Sequence, residues 1–165
     1  YMANQMVAWL IKNRLVPGQL EGETARVWNT ILQIEFPATA GYATGPETQI
    51  AGHRADLFTT HIVFGNQAPE FKFLIVECPR PAVEGQNQVW QDAGAQLKTY
   101  LSGIASSRSG GRKFGAVAVG KVVRFYEWDN DSSSLNLLAN GDHFYLDRQC
   151  ASVTRWLRFF RDNHQ

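Results

Sequence analysis

Cysteine is scarce in this chain, and its scarcity excludes two kinds of small protein. Cys78 and Cys150 are the only two cysteines among 165 residues, too few for a disulfide framework and too isolated for a zinc site. The count favours a reducing, intracellular setting, in the cytoplasm or the nucleus. The alternative is a secreted protein with one Cys78–Cys150 bridge. The chain begins at Tyr1 rather than methionine, so we expect a fragment of a longer protein, from which any targeting information would be missing.

An excess of charge and long apolar runs are also missing. The net charge is +1 with 19% charged residues, which excludes a strongly basic nucleic-acid-coating protein and an acidic tail. No apolar run approaches the length that crosses a bilayer, so no membrane partner is expected. The glycines of "SGGRKFGAVAVG" are not followed by the Lys-Ser/Thr pair of a phosphate loop, and no serine or cysteine nucleophile motif is present.

What the chain has is the composition and length of one globular domain, residues 1–165. Apolar residues make up 44%, enough for a sizeable core. The periodicity predicts a mixed α/β fold in which helices cover a central sheet. The predicted helices cover residues 3–15, 23–36, 88–104 and 147–164. The predicted strands lie within 38–52, 53–64, 71–77, 113–129 and 142–147, and residues 113–129 are expected to form two strands hinged near Gly120-Lys121.

An acidic residue ends the most apolar strand, "FKFLIVE". Strand alternation places Phe73, Ile75, Glu77 and position 79 on one face, and Leu74, Val76 and Cys78 on the other. A carboxylate in such a place is costly unless an arginine, backbone donors or a divalent metal compensates it.

A second acid, Asp56, has a matching place in the preceding strand. If the two strands are antiparallel neighbours, Asp56 and Glu77 converge at one end of the sheet. Mg²⁺ or Mn²⁺ would relieve the repulsion between the two carboxylates, because hard cations take oxygen ligands. The alternative is that Glu77 forms a structural ion pair with Arg54 or Arg80.

The order of these motifs resembles the PD-(D/E)XK nuclease superfamily, the restriction-endonuclease-like fold. The resemblance rests on "RAD" with Asp56, on "VEC" with Glu77, and on a following helix that carries Gln96 and Tyr100. It covers roughly residues 21 to 128, and it implies an αβββαβ core. "QLKTY" is similar to the QxxxY motif of the RecB-like branch, and phrases such as "VECPRP" resemble fungal members.

The resemblance implies a nuclease that cleaves DNA phosphodiesters, with RNA left open as a substrate. Asp56 and Glu77 would hold Mg²⁺ or Mn²⁺, Gln96 would orient water or metal, and Tyr100 would lie near the scissile phosphate. In many members an acid of the first core helix is a further metal ligand. Glu23 is the candidate here and Glu35 its competitor. The simpler interpretation is that Glu23 favours the helix dipole and Glu35 is an exposed residue near the helix end.

The chain departs from the family pattern at Pro79, where E-x-K requires a lysine. Lys72 faces away from Glu77 by strand alternation, and Lys98 lies about 200° round the helix from Gln96. Arg80 is the best substitute, although an arginine acts as a charge clamp rather than an acid or base. The alternative function is therefore a catalytically silent module with the nuclease fold, which binds nucleic acid or a protein partner.

Basic residues in two places are candidates for nucleic-acid contact. On the last helix, Arg155 and Arg158 belong to a stripe with Arg148 and Arg161 that could follow phosphates. A solvated helix face has the same pattern. The second place is the loop "SSRSGGRK", with Arg112 and Lys113, and Arg80 is a further candidate.

Overall fold

The computed structural model describes residues 1–20, 22–46, 56–64, 69–79, 85–105 and 111–165 of the chain. Short 3-10 turns follow α2 and β6. The helices and strands are α1 (Gln5–Arg14), α2 (Gly22–Glu35), β1 (Tyr42–Gly45), β2 (Leu57–Ile62), β3 (Glu70–Glu77), α3 (Asn87–Ala105), β4 (Lys113–Val119), β5 (Val122–Asp129), β6 (Ser134–Leu137), β7 (Phe144–Tyr145) and α4 (Cys150–Asn163).

The described strands form one mixed sheet of seven strands. Six of them follow the spatial order β1-β2-β3-β4-β5-β6, and β7 pairs with β5. β3 and β4 are parallel and joined by the crossover helix α3, whereas the other neighbours are antiparallel. The series α2-β1-β2-β3-α3-β4 is the predicted αβββαβ order. The predicted fold class, a mixed central sheet flanked by helices, is therefore confirmed.

Helices cover both faces of this sheet. On one face, which we call the α2 face, α1, α2 and α4 pack against side chains such as Leu74, Val76 and Phe125. On the other, the α3 face, Leu97 and its neighbours on α3 pack against Ile75 and Val117. Burial on both faces explains why β3 and β4 are continuous apolar runs rather than alternating ones.

Local sequence accounts for where several elements begin and end. The Asn4 side chain accepts hydrogen bonds from the backbone N–H groups of Met6 and Val7, which caps α1. Pro37 follows α2 and cannot continue it. Gly120, with a φ of 56°, turns the chain between β4 and β5, and Val119 pairs with Val122 across the turn.

A β-bulge in β3 corrects the predicted alternation of side chains. The register with β2 shifts so that Thr59 pairs with Leu74 and Thr60 pairs with Lys72, which leaves Phe73 as the extra residue. Phe73 therefore packs on the α2 face. The prediction that Phe73 shares a face with Ile75 and Glu77 was wrong.

The bulge also moves Lys72 onto the α3 face. Its ammonium lies 5.0 Å from the ring centroid of Phe58, which packs with the α3-face cluster. The prediction that Lys72 faces away from Glu77 was therefore wrong. Lys72 nevertheless lies five positions before Glu77 along the strand, a span of about 16 Å.

Further features of the structure bear on what the sequence predicted. β6 was not predicted, because "SLNL" is a half-exposed strand with few β-branched residues. α4 begins at Cys150 rather than at residue 147. Cys78 and Cys150 are both free thiols, so the alternative of a bridge between them was wrong. No helix among the described residues is long and apolar enough to span a membrane.

Candidate active site

The two predicted acids lie at the same end of the β2–β3 pair. Leu57, the first residue of β2, pairs with Val76, the penultimate residue of β3. Asp56 comes directly before Leu57 and Glu77 directly after Val76. The antiparallel pairing on which their predicted convergence depended is present, and the structure brings the two residues together.

Each acid accepts a hydrogen bond from the backbone of the opposite strand end. The Cys78 N–H donates to Oδ2 of Asp56 over 2.8 Å, and the Asp56 N–H donates to the Glu77 carboxylate. These reciprocal bonds hold the start of β2 against the end of β3. They also restrain the position of both carboxylates.

The two carboxylates differ sharply in exposure. Asp56 is exposed, whereas Glu77 is only 3% exposed, and its Oε1 has no hydrogen-bond partner among the described residues. The pKa of Glu77 is raised from 4.5 to about 8. Burial is the largest cause, and the negative charge of Asp56 is the second. A cation bound beside Glu77 would stabilise the charged form of this carboxyl group.

Helix α3 covers this acid pair with the predicted tyrosine. Tyr100 is 3% exposed, and its pKa is raised by burial first and then by the charges of Glu77 and Asp56, so its phenol lies near both acids. Gln96 is exposed one turn earlier. Gln96 and Tyr100 line a cavity of about 260 Å³, with Ala95 and Thr99.

Neither candidate for a third acidic ligand joins the pair. Glu23 lies in the first turn of α2 and forms an ion pair with Arg26 over 3.6 Å. Glu35 is buried rather than exposed as expected, and it pairs with Arg158 over 3.7 Å. Within the described residues, no three Asp, Glu, His or Cys side chains group closely enough to hold a metal ion.

Two carboxylates with hard oxygen atoms still fit Mg²⁺ or Mn²⁺. Mg²⁺ is commonly held by one or two carboxylates, and waters and substrate phosphates complete its coordination. The bare Oε1 of Glu77, beside the exposed carboxylate of Asp56, has the chemistry of such a site. Asp56 and Glu77 would be the protein ligands.

A cation that replaces the family lysine is not found among the described residues. The causes that raise the pKa of Glu77 are burial and Asp56, and neither of them is a positive charge. β3 ends at Glu77, so Pro79 lies beyond the strand. Lys113 is at the far end of β4, about 13 Å along the strand from Val117, which pairs with Glu77. Arg80 lies outside the described residues.

Those expected nucleic-acid residues that the structure describes are not gathered around the acid pair. Arg155 and Arg158 lie on α4, which covers the α2 face, whereas Glu77 points towards α3. Arg112 makes a bidentate ion pair with Glu127, at 2.6 and 3.0 Å. Lys113 is 2% exposed and donates to the Gly111 carbonyl, so it is not the surface residue that the loop pattern suggested.

Sequence reasoning overlooked Arg124, which lies in one row with Glu77 across the sheet. Glu77 pairs with Val117, and Val117 pairs with Arg124, so all three share the α3 face. The Arg124 guanidinium stacks 4.4 Å from the Trp90 ring centroid. The signal was present, because a two-residue turn at Gly120-Lys121 fixes this register by counting back along both strands.

Comparison with known proteins adds little to this picture. No protein-family model matches the chain, and no curated protein matches it. A solved structure with some likeness is NucC of P. aeruginosa ATCC27853 in its cAAA-bound form, with a TM-score of 0.48 and 10% sequence identity. The likeness covers 94% of this chain and 90% of that one. It carries no conclusion about the activity of this chain.

Proposed function

We propose that this chain is a metal-dependent phosphodiesterase that cleaves DNA, with Asp56 and Glu77 as the metal ligands. The observation that carries the proposal is the buried Glu77 carboxylate, whose Oε1 has no described partner and which lies beside Asp56 under α3. A fold that only needed the strand ends joined would be more stable with a neutral residue there. Strongly shifted carboxyl groups of this kind cluster at functional sites.

The residues of the chain divide the work as follows. A bound Mg²⁺ or Mn²⁺ would supply Lewis-acid stabilisation of phosphate charge and a stronger water nucleophile at neutral pH. Glu77 loses its proton to become a ligand, and Asp56 is held in place by the Cys78 N–H. Tyr100 supplies a hydroxyl near both acids, and Gln96, which is exposed and lines the same cavity as Tyr100, would orient water or phosphate.

The direct test is cleavage of labelled duplex DNA with Mg²⁺ or Mn²⁺. Glu77→Gln and Asp56→Asn should each reduce the rate on the order of 100-fold or more, because each removes a charged ligand. Glu70→Gln, an exposed acid on the same strand, is the matched control and should cleave like the wild type. Equal inactivity of wild type and variants with both metals, on DNA and on RNA, would overturn the proposal.

A second candidate, a catalytically silent module that binds nucleic acid or a protein partner, is favoured by one observation. Pro79 stands where the family pattern requires lysine, and no described cation raises or lowers the pKa of Glu77. Pro79→Lys should then create cleavage in an inert wild type, or increase existing cleavage on the order of 10- to 100-fold. If the wild type cleaves well and Pro79→Lys adds nothing, the silent module is rejected.

The proposed setting is intracellular. The two free thiols fit a reducing compartment, and a nucleic-acid substrate is available in the cytoplasm and the nucleus.

A further inference from the structure

A groove of about 420 Å³ lies on the α3 face, between α3 and the β5–β6 pair. It is separate from the cavity that Gln96 and Tyr100 line, but the two share Ala95, which lines both. The described walls of the groove include Asn87, Trp90, Gln91, Lys98, Arg124 and Tyr126.

The groove is positively charged. Lys98 is exposed and Arg124 is half-buried, and neither forms an ion pair with any described carboxylate. No acid is among the described walls. The neighbouring amides of Asn87 and Gln91 add neutral hydrogen-bonding groups of the kind that accompany phosphate contacts.

Arg124 is held in a pose that suits an anion. Its guanidinium stacks on Trp90, which is itself 6% exposed, and it hydrogen-bonds with the Tyr126 hydroxyl. Its Nε is buried and has no partner among the described residues. A planar guanidinium fixed by stacking keeps its donors oriented for oxygen atoms of a phosphate.

The presence of a glycine at position 94 independently supports a binding role for the groove. Gly94 lies in the interior of α3, where a glycine destabilises a helix relative to an alanine. No neighbouring atom lies within 4 Å of where its Cβ would be, so packing does not require a glycine. Because Gly94 lines the groove, the missing side chain keeps the groove open.

We propose that this groove binds the phosphodiester backbone of the nucleic-acid strand that is presented to the acid pair. Arg124 and Glu77 are two strand spacings apart in one row, about 10 Å, so one bound strand can reach both. The proposal rests on the proposed function and names the surface that holds its substrate. A polymer fits better than a free nucleotide, because the groove adjoins through Ala95 the cavity lined by Tyr100, which lies near both acids.

Binding is tested without cleavage, by fluorescence anisotropy of labelled single-stranded and duplex DNA in chelator over a range of salt concentrations. Lys98→Ala and Arg124→Gln should each weaken binding several-fold. Each should also reduce the slope of log K against log salt concentration, by about 0.7 for single-stranded DNA and about 0.9 for duplex DNA. Lys12→Ala, an exposed lysine on α1, is the matched control. Gly94→Gln should weaken binding by filling the groove, whereas Gly94→Ala should bind nearly as the wild type does.

Several outcomes would overturn the proposal. These are absence of binding by the wild type at low salt, unchanged binding by Lys98→Ala, or an equal loss in Lys12→Ala. Competition by orthophosphate or a mononucleotide as effective as that of the oligonucleotide would show a small-anion site instead of a backbone groove. Arg124→Lys keeps the positive charge and removes the planar guanidinium, so it separates the contribution of charge from that of the oriented donors. Circular dichroism shows whether each variant is folded.

Failure here is distinguishable from failure of the proposed catalysis. Binding in chelator needs no bound metal, so the losses in Lys98→Ala and Arg124→Gln are measured whether or not the chain cleaves DNA. If the wild type cleaves DNA and the groove variants bind DNA normally, the catalytic proposal stands and the groove proposal is rejected. If the groove variants lose binding and the wild type does not cleave, the groove is the binding surface of a catalytically silent module.

Discussion

At the scale of single residues, Glu77 weakens the fold that contains it. Its carboxyl group is buried, carries one oxygen without a described partner, and faces the charge of Asp56. Burying such a group in its charged form costs free energy, so the folded chain keeps the proton to a higher pH than the unfolded chain does.

The first prediction concerns stability against pH in the presence of chelator. The unfolded chain releases the Glu77 proton near pH 4.5 and the folded chain near pH 8, so the folded state binds more protons between these values. Stability from this group is therefore greatest below pH 4.5 and is lost as the pH rises towards 8. Glu77→Gln cannot ionise, so its advantage over the wild type should grow across this window.

Thermal unfolding at pH 5 and pH 8 measures the effect. Each pKa unit corresponds to about 1.4 kcal/mol, so we expect the variant to gain up to a few kcal/mol, or several degrees in Tm, at pH 8. Glu70→Gln should show no such trend, because Glu70 is exposed at the start of the same strand. A Tm difference between Glu77→Gln and wild type that is the same at both pH values would contradict the raised pKa.

The place of Glu77 could be predicted from the sequence, but its hydrogen bonds could not. An acid at the end of "FKFLIV" indicates a costly buried carboxylate, and the pairing with Asp56 follows once β2 and β3 are antiparallel. The reciprocal bonds through the backbone of Cys78 and Asp56 depend on where the strands end, which side-chain patterns do not encode. The burial of Lys113 was missed for a similar reason, because a lysine beside a glycine-rich loop has the pattern of a surface residue.

At the scale of elements, the position of α3 depends on one glycine of β4. A Cβ at Gly115 would lie 2.7 to 2.8 Å from the two methyl carbons of Leu97, which is fully buried on α3. The helix therefore approaches the sheet more closely here than any other residue would permit. This approach also positions Gln96 and Tyr100 relative to Glu77.

We expect Gly115→Ala to destabilise the chain by about 1–3 kcal/mol, because the overpacked core must shift the helix. Gly94→Ala, on the same helix but with open space around it, should instead stabilise the chain by up to about 1 kcal/mol. Urea denaturation compares the two variants. Leu97→Val should recover part of the loss in Gly115→Ala, and its failure to do so would indicate that the clash lies elsewhere.

Element types could be predicted better than registers. The helices and the β4–β5 hairpin were predicted from their periodicity and from Gly120-Lys121. The bulge at Phe73 could not be predicted, because an apolar run buried on both faces has no alternation in which an inserted residue is visible. That one residue put Phe73 and Lys72 on the wrong faces.

At the scale of the whole molecule, one sheet separates two apolar cores and, with them, two sets of basic residues. Arg155 and Arg158 belong to the α2 face, and Lys98 and Arg124 belong to the α3 face with the acid pair. The sequence pattern favoured the first set because a stripe of arginines on one helix is visible without a fold. The second set is brought together only by the strand register and the crossover helix.

The last prediction tests whether residues 1–165 are one folding unit, as the shared sheet implies. Leu32 lies in the core of the α2 face and Leu97 in that of the α3 face, and both are fully buried. Each substitution by alanine should cost about 2–5 kcal/mol. Because the strands between them contribute to both cores, each variant should lower the hydrogen-exchange protection of α2 and α3 alike. If Leu97→Ala loosens α3 and leaves α2 as protected as in the wild type, the two faces fold separately and the single-domain assignment is wrong.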